Sequence, residues 1–132
     1  MPWRSRVLGA VLVALVLTGC GTGHEDAVRA VGEEYAAAVA SRDWSAACDL
    51  LAPTTRQELE QSAGKPCAEA LPEEDPPVVE GAPAPSIFGT QAQLHYAADT
   101  LFLSPYDGAW RIVAAVCTPR AERPYDCSVS GG

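Results

Sequence analysis

A chain of 132 residues has room for one domain of ordinary size once any leader is removed. Its 9 Lys plus Arg stand against 17 Asp plus Glu, a net charge of −8, which argues against a nucleic-acid partner because phosphate binding relies on clustered cations. Val, Leu, Ile and Phe make up only 19 of the 113 residues from Cys20 onward, so the core is thin and needs covalent support.

The first residues read as an export leader. Met1 to Arg6 carries Arg4 and Arg6 and no acid, and Val7 to Leu17 is an unbroken run of Val, Leu, Ala and Gly, the layout of a secretory signal over residues 1–19. Those eleven residues reach about 16 Å as a helix, roughly half of a ~30 Å hydrocarbon core, so a permanent span is the poorer reading. Leu17-Thr18-Gly19-Cys20 resembles the bacterial lipobox. The resemblance implies transfer of a diacylglyceryl group to the Cys20 sulfur, cleavage between Gly19 and Cys20, and a mature chain anchored on the outer face of the cell membrane. A thiolate is the nucleophile such a transfer needs, and two acyl chains hold where one holds marginally. Cys20 and a short tether, including His24, occupy residues 20–25, and a single domain is expected over 26–132.

From Asp26 to Ser41, Val28, Val31, Tyr35 and Val39 recur every three or four residues, which predicts an amphipathic helix. Asp43 is placed to cap a second helix carrying Trp44, Ala47, Cys48 and Leu51 before Pro53 stops it. Thr54 with Gln57, or Thr55 with Glu58, has capping-box spacing and predicts a third helix ending near Gly64, after which Pro66 opens a turn through Leu71. The Pro-rich stretch from Pro72 to Pro85 carries Glu73, Glu74, Asp75 and Glu80 and reads as a surface connector. It lacks the alternating oxygen ligands of a calcium loop.

Strands follow. Ala92, Leu94 and Tyr96 alternate with Gln91, Gln93 and His95, the pattern of a half-buried strand. Thr100 to Ser104 and Ala109 to Cys117 flank Pro105-Tyr106-Asp107-Gly108, whose Asp-Gly chemistry predicts a hairpin. Strict alternation puts Trp110, Ile112, Ala114 and Val116 on one face. Thr118-Pro119 leads into a loop, and Pro124 to Val129 forms a last strand. Helices first and strands after them give an α+β domain with antiparallel strands curling around the first helix.

Of five Cys, removing Cys20 for the lipid leaves Cys48, Cys67, Cys117 and Cys127, an even set in an exported chain, so two disulfides are expected. Four thiols permit three connectivities, and closeness in sequence favours Cys48 with Cys67 and Cys117 with Cys127. No Cys-x-x-Cys occurs, and His24 and His95 are remote from the thiols, so neither a metal site nor a cofactor is expected. Reduction is expected to loosen the domain.

The first helix, the Ser41-Arg42-Asp43-Trp44 corner with the second helix, and the closing strands resemble the nuclear-transport-factor-like, or cystatin-like, α+β cone. More specifically, Asp99-Thr100-Leu101-Phe102-Leu103, Gly108-Ala109-Trp110-Arg111-Ile112, and Cys117-Thr118-Pro119 followed by Pro124-Tyr125-Asp126-Cys127 resemble small actinobacterial lipoproteins of unknown function. The resemblance implies a curved antiparallel sheet with helices packed on it. The superfamily spans isomerases, dehydratases, ligand carriers and interaction modules, so fold alone selects no activity.

Three readings follow for function. In the favoured one, a lipid-anchored accessory module binds a small ligand or an envelope protein, with Tyr35, Trp44, Tyr96 and Trp110 as candidate pocket residues, since each has an apolar body and a polar tip. An enzyme of the cone superfamily would need an acid or base in an apolar pocket, for which His95 and Asp99 are the candidates; no catalytic set stands out. A purely structural envelope protein would dock through the acidic connector or the outer face of the sheet.

Overall fold

Thr22–Ser41 form the first helix, α1, in the computed structural model, which describes residues 22–131. The leader expected over 1–19 and the lipidated Cys20 lie outside the described residues. The helix starts earlier than the periodicity indicated: Thr22 to Glu25, expected as tether, form its first turn, with Glu25 complementing the positive end of the helix dipole. Val28, Tyr35, Ala38 and Val39 are its buried stripe. Gly32 lies where α1 crosses the sheet, and a Cβ added there would meet Leu94 Cδ1 and the Tyr96 hydroxyl. Gly32→Ala is therefore expected to destabilise the domain by about 1–3 kcal/mol through overpacking. A urea titration checks this, and an unchanged midpoint would refute the close crossing.

Arg42 ends α1 in the left-handed region at φ 57°. The amide of Arg42 donates to the Val39 carbonyl at 3.1 Å and that of Asp43 to the Ala38 carbonyl at 2.8 Å, a Schellman-type closure with Arg where Gly is usual. Asp43 then accepts from the Ala46 amide at 3.1 Å and caps α2, Trp44–Asp49, as its position predicted. Helix α3 runs from Pro53 to Ala63 and ends at Gly64, φ 67°. The capping box expected at its start does not form. Ala52 is the N-cap without a side-chain bond, and the Thr55 hydroxyl instead donates to the Val113 carbonyl of the sheet at 2.9 Å, a long-range partner that spacing along the chain does not reveal. A short α4, Cys67–Ala70, follows Pro66 and runs into a 3-10 turn, Leu71–Glu74.

Five strands, β1 Ser86–Phe88, β2 Gln91–His95, β3 Thr100–Tyr106, β4 Ala109–Arg120 and β5 Arg123–Ser130, form one antiparallel sheet in sequence order. The chain is thus α+β, with helices before the sheet. β1 lies just past the Pro72–Pro85 connector and has no counterpart among the predicted strands, because three residues between Pro85 and Gly89 are too few to show alternation. The Asp107-Gly108 hairpin forms as expected, both residues at positive φ (49° and 80°), which matches the twist of paired strands. β4 and β5 extend past Thr118-Pro119, where a loop was expected, and turn at Ala121 and Glu122.

The face assignment within β4 needs correction. Phe102 pairs with Ala114 but Leu103 pairs with Ile112, so Val113 is an extra residue and a β-bulge reverses the alternation beyond it. Trp110 and Ile112 are buried as predicted, but Ala115 takes the next core position while Ala114 and Val116 are only half-buried. The bulge leaves the Val113 carbonyl free of the β3 ladder, and it accepts from Thr55 and from the Gly131 amide at 3.2 Å. Beside it, the segment joining α2 to α3 bonds directly to the sheet: the Ala52 amide donates to Ile112 O and the Ile112 amide to Leu50 O, each at 2.8 Å. One face of the sheet and the buried stripes of the helices share a single core.

Candidate binding face

The helices cover one face of the sheet, and the other is open among the described residues. There β1 to β5 form a shallow trough of about 740 Å³, with Phe88, Gln93, Phe102, Tyr106, Tyr125 and Cys127 among its walls. The alternation that buries Leu101 and Leu103 turns Phe102 outward between them. Phe102 meets Tyr125 edge to face at 5.2 Å between ring centroids, and His95 lies 6.1 Å from the same Tyr125 ring. Phe88, on the edge strand, is 66% exposed. An aromatic cluster on an open sheet face is a costly arrangement for a chain with so little apolar residue to spend, and such patches commonly mark contact surfaces.

Charge is segregated away from this face. Residues 22–85 hold 13 acidic and 4 basic side chains, while residues 86–131 hold 4 acidic and 3 basic, and one of those acids, Asp99, is buried. Among the trough's lining residues only Asp126 is charged, and Arg120 lies 3.8 Å from its carboxylate. The helical layer is therefore strongly acidic and the trough nearly neutral.

The candidate residues read from the sequence lie elsewhere. Tyr35, Tyr96 and Trp110 are buried in the core, and Trp44 packs against it half-buried. None of the four borders the trough. Trp110 also meets His24 of α1, ring centroids 6.0 Å apart. The Tyr35 hydroxyl is buried without a hydrogen-bond partner. Burial first, and the Asp99 carboxylate second, hold its pKa above the ordinary phenol value of 10.0. Burial, then Glu33, raise that of Tyr96. Above about pH 10 the unfolded chain releases phenol protons that the folded chain retains, so stability is expected to fall as pH rises past that value. Tyr35→Phe should weaken that fall and be near neutral at pH 7, because it removes an unpaired buried hydroxyl. Denaturation at pH 7 and pH 11 tests both halves.

Asp99 is fully engaged by backbone. One oxygen accepts from the amides of Thr100 and Cys117, each at 2.8 Å, and the other from Val116 at 2.9 Å. Val116 sits at φ 55°, and this left-handed step turns two successive amides of β4 toward the same carboxylate. His95 is exposed, its Nδ1 3.1 Å from the Thr100 hydroxyl. The two are thus not arranged around a common cavity.

Both disulfides expected from closeness in sequence are present. Cys48–Cys67 ties α2 to α4 with both residues about 1% exposed. Cys117–Cys127 joins directly paired residues of β4 and β5. Among the described residues no group of three or more His, Cys, Asp and Glu side chains is placed to hold a metal ion, and no helix is long and apolar enough to cross a membrane.

Sequence reasoning did not single out Phe88, Phe102 and Tyr125. The signal for Phe102 was present: an aromatic residue at the outward position of an alternating strand. Tyr125 reaches it only through the β4–β5 pairing, which no local pattern specifies. No family model, curated protein or solved structure matches the chain.

Proposed function

We propose that this protein is a lipid-anchored, extracytoplasmic accessory module that binds an uncharged ligand or an envelope protein on the open face of its sheet. The observation that carries the reading is the neutral aromatic trough around Phe102 and Tyr125, set opposite an acidic helical layer. Binding fits this surface better than acid–base catalysis. Asp99 is buried with both carboxylate oxygens engaged by backbone amides, so it faces no space a substrate could occupy, and His95 stands in the open. The nuclear-transport-factor-like cone belongs to the same proposal, supported by the order of helices and consecutive antiparallel strands.

A photo-crosslinking side chain at Phe88, compared with one at the exposed Glu58 on α3, tests the binding face in cells. A specific adduct from position 88 that disappears in Phe102→Ser is the expected result; adducts from position 58 alone would overturn the reading. The anchor is tested separately. Cys20→Ser is expected to leave the protein unprocessed or release it to the medium, followed by fractionation and intact mass. Normal maturation with full membrane retention would refute lipidation at Cys20.

A further inference from the structure

We propose that Cys117–Cys127 is a redox gate on the binding face, opened by thiol exchange while Cys48–Cys67 stays closed. The proposal rests on the reading of the trough as the binding surface and adds its regulation. Four observations carry it.

The two disulfides differ in access. Cys48 and Cys67 are both sealed in the core, whereas Cys127 is half-exposed and forms part of the trough wall. Thiol exchange requires a thiolate to reach a sulfur, and accessible disulfides are the labile ones. The bridge also has one fixed side. Cys117 belongs to β4, whose Val116 and Cys117 amides are held by buried Asp99, and it stays in place when the bridge opens. The other side is loosely held. β5 is an edge strand paired only with β4, and of its eight residues only Val129 is buried. Its Val129 end is anchored in the core and followed by the Gly131 bond to Val113. The end from Arg123 to Cys127 has the ladder, the disulfide and the exposed Arg120–Asp126 ion pair, and such a surface pair adds little. Lastly, the loosely held end contains Tyr125, whose contact with Phe102 builds the trough.

The chemistry balances with a dithiol reductant. One thiolate attacks Cys127 Sγ, forming a mixed disulfide and releasing Cys117 as a thiolate that takes up a proton. The second thiol of the reductant then attacks its own sulfur in the mixed disulfide, freeing Cys127 as a thiol. Two electrons and two protons pass to the protein, and the reductant leaves as its disulfide. The Tyr125 end of β5 is then free to move off Phe102, and the trough loses a wall.

The test uses the mature protein with limiting dithiothreitol, timed alkylation by N-ethylmaleimide and peptide mass mapping. Cys117 and Cys127 should be labelled at least about ten-fold faster than Cys48 and Cys67. In the selectively reduced protein, amides from Arg123 to Cys127 should lose about ten-fold or more of their hydrogen-exchange protection while α1 and α2 keep theirs. The Cys117→Ala/Cys127→Ala variant should reproduce that pattern without reductant. Equal labelling of all four thiols, or unchanged β5 protection after selective reduction, would overturn the gate. The Phe88 crosslink separates the two readings. An adduct lost in Phe102→Ser but indifferent to reduction leaves binding intact and removes the gate, while an adduct indifferent to both removes the binding face itself.

Discussion

Asp99→Ala is expected to destabilise the domain by about 4 kcal/mol or more, from three backbone bonds to a buried carboxylate at roughly 1.5–3 kcal/mol each, discounted because water relieves part of the loss. The reason lies in what is left behind. Val116 is held at φ 55°, a conformation that costs a β-branched residue of the order of 1–3 kcal/mol, and its amide and that of Cys117 point at the Asp99 oxygens rather than into a strand ladder. Without the carboxylate those amides have no described acceptor. Asp99→Asn should fall between the two, since it keeps one acceptor oxygen but presents an N–H where an acceptor is needed. Against a typical margin of about 5–15 kcal/mol, the Ala variant should show a visibly earlier urea transition at pH 7. A loss under about 1 kcal/mol would mean that packing around Val116, not the carboxylate, holds the distortion.

The second large effect concerns the helical layer. Cys48→Ala with Cys67→Ala should cost about 3 kcal/mol in the chain-entropy account of a loop of this size, and the linked residues are 19 apart in sequence. Both sulfurs lie in the core, so two small voids add to the loss. The bridge joins a six-residue helix to a four-residue one, and helices so short do not persist on propensity alone. α4 and the turn after it should therefore lose exchange protection first, with a lowered thermal midpoint. A variant melting within a degree or two of wild type would show that packing of Leu71 and Ala70 is sufficient by itself.

Much of this was readable in the chain because it was local. The Asp43 cap, the Gly64 stop, the Asp107-Gly108 turn and both disulfide pairs depend on residues near each other in sequence, and each is found where spacing put it. What escaped depends on distant partners. The alternation from Trp110 failed at Ala114 because Val113 is extruded to bond with Thr55, 58 positions away. The capping box at Thr55 failed for the same reason, since one hydroxyl cannot serve both its own helix and the sheet. Asp99 looked like a residue beside a turn, and only the fold brings Val116 and Cys117 to it. The aromatic residues with pocket-like spacing are ones the core takes up, whereas the rings on the open face are scattered over three strands.

The two bonds between Ile112 and the Leu50–Ala52 segment also bear on the order in which the chain is assembled. The strands pair with their neighbours in succession, so the sheet can zip up hairpin by hairpin at low loop-closure cost. The helical half cannot complete its own edge until residue 112 has emerged, some sixty positions later. A chain threaded outward from its first residue thus presents its helices before the strand that seats them exists. For that interval the Val28, Tyr35 and Val39 stripe has no sheet to cover it, so the helical half stays open to misassembly until the strands arrive.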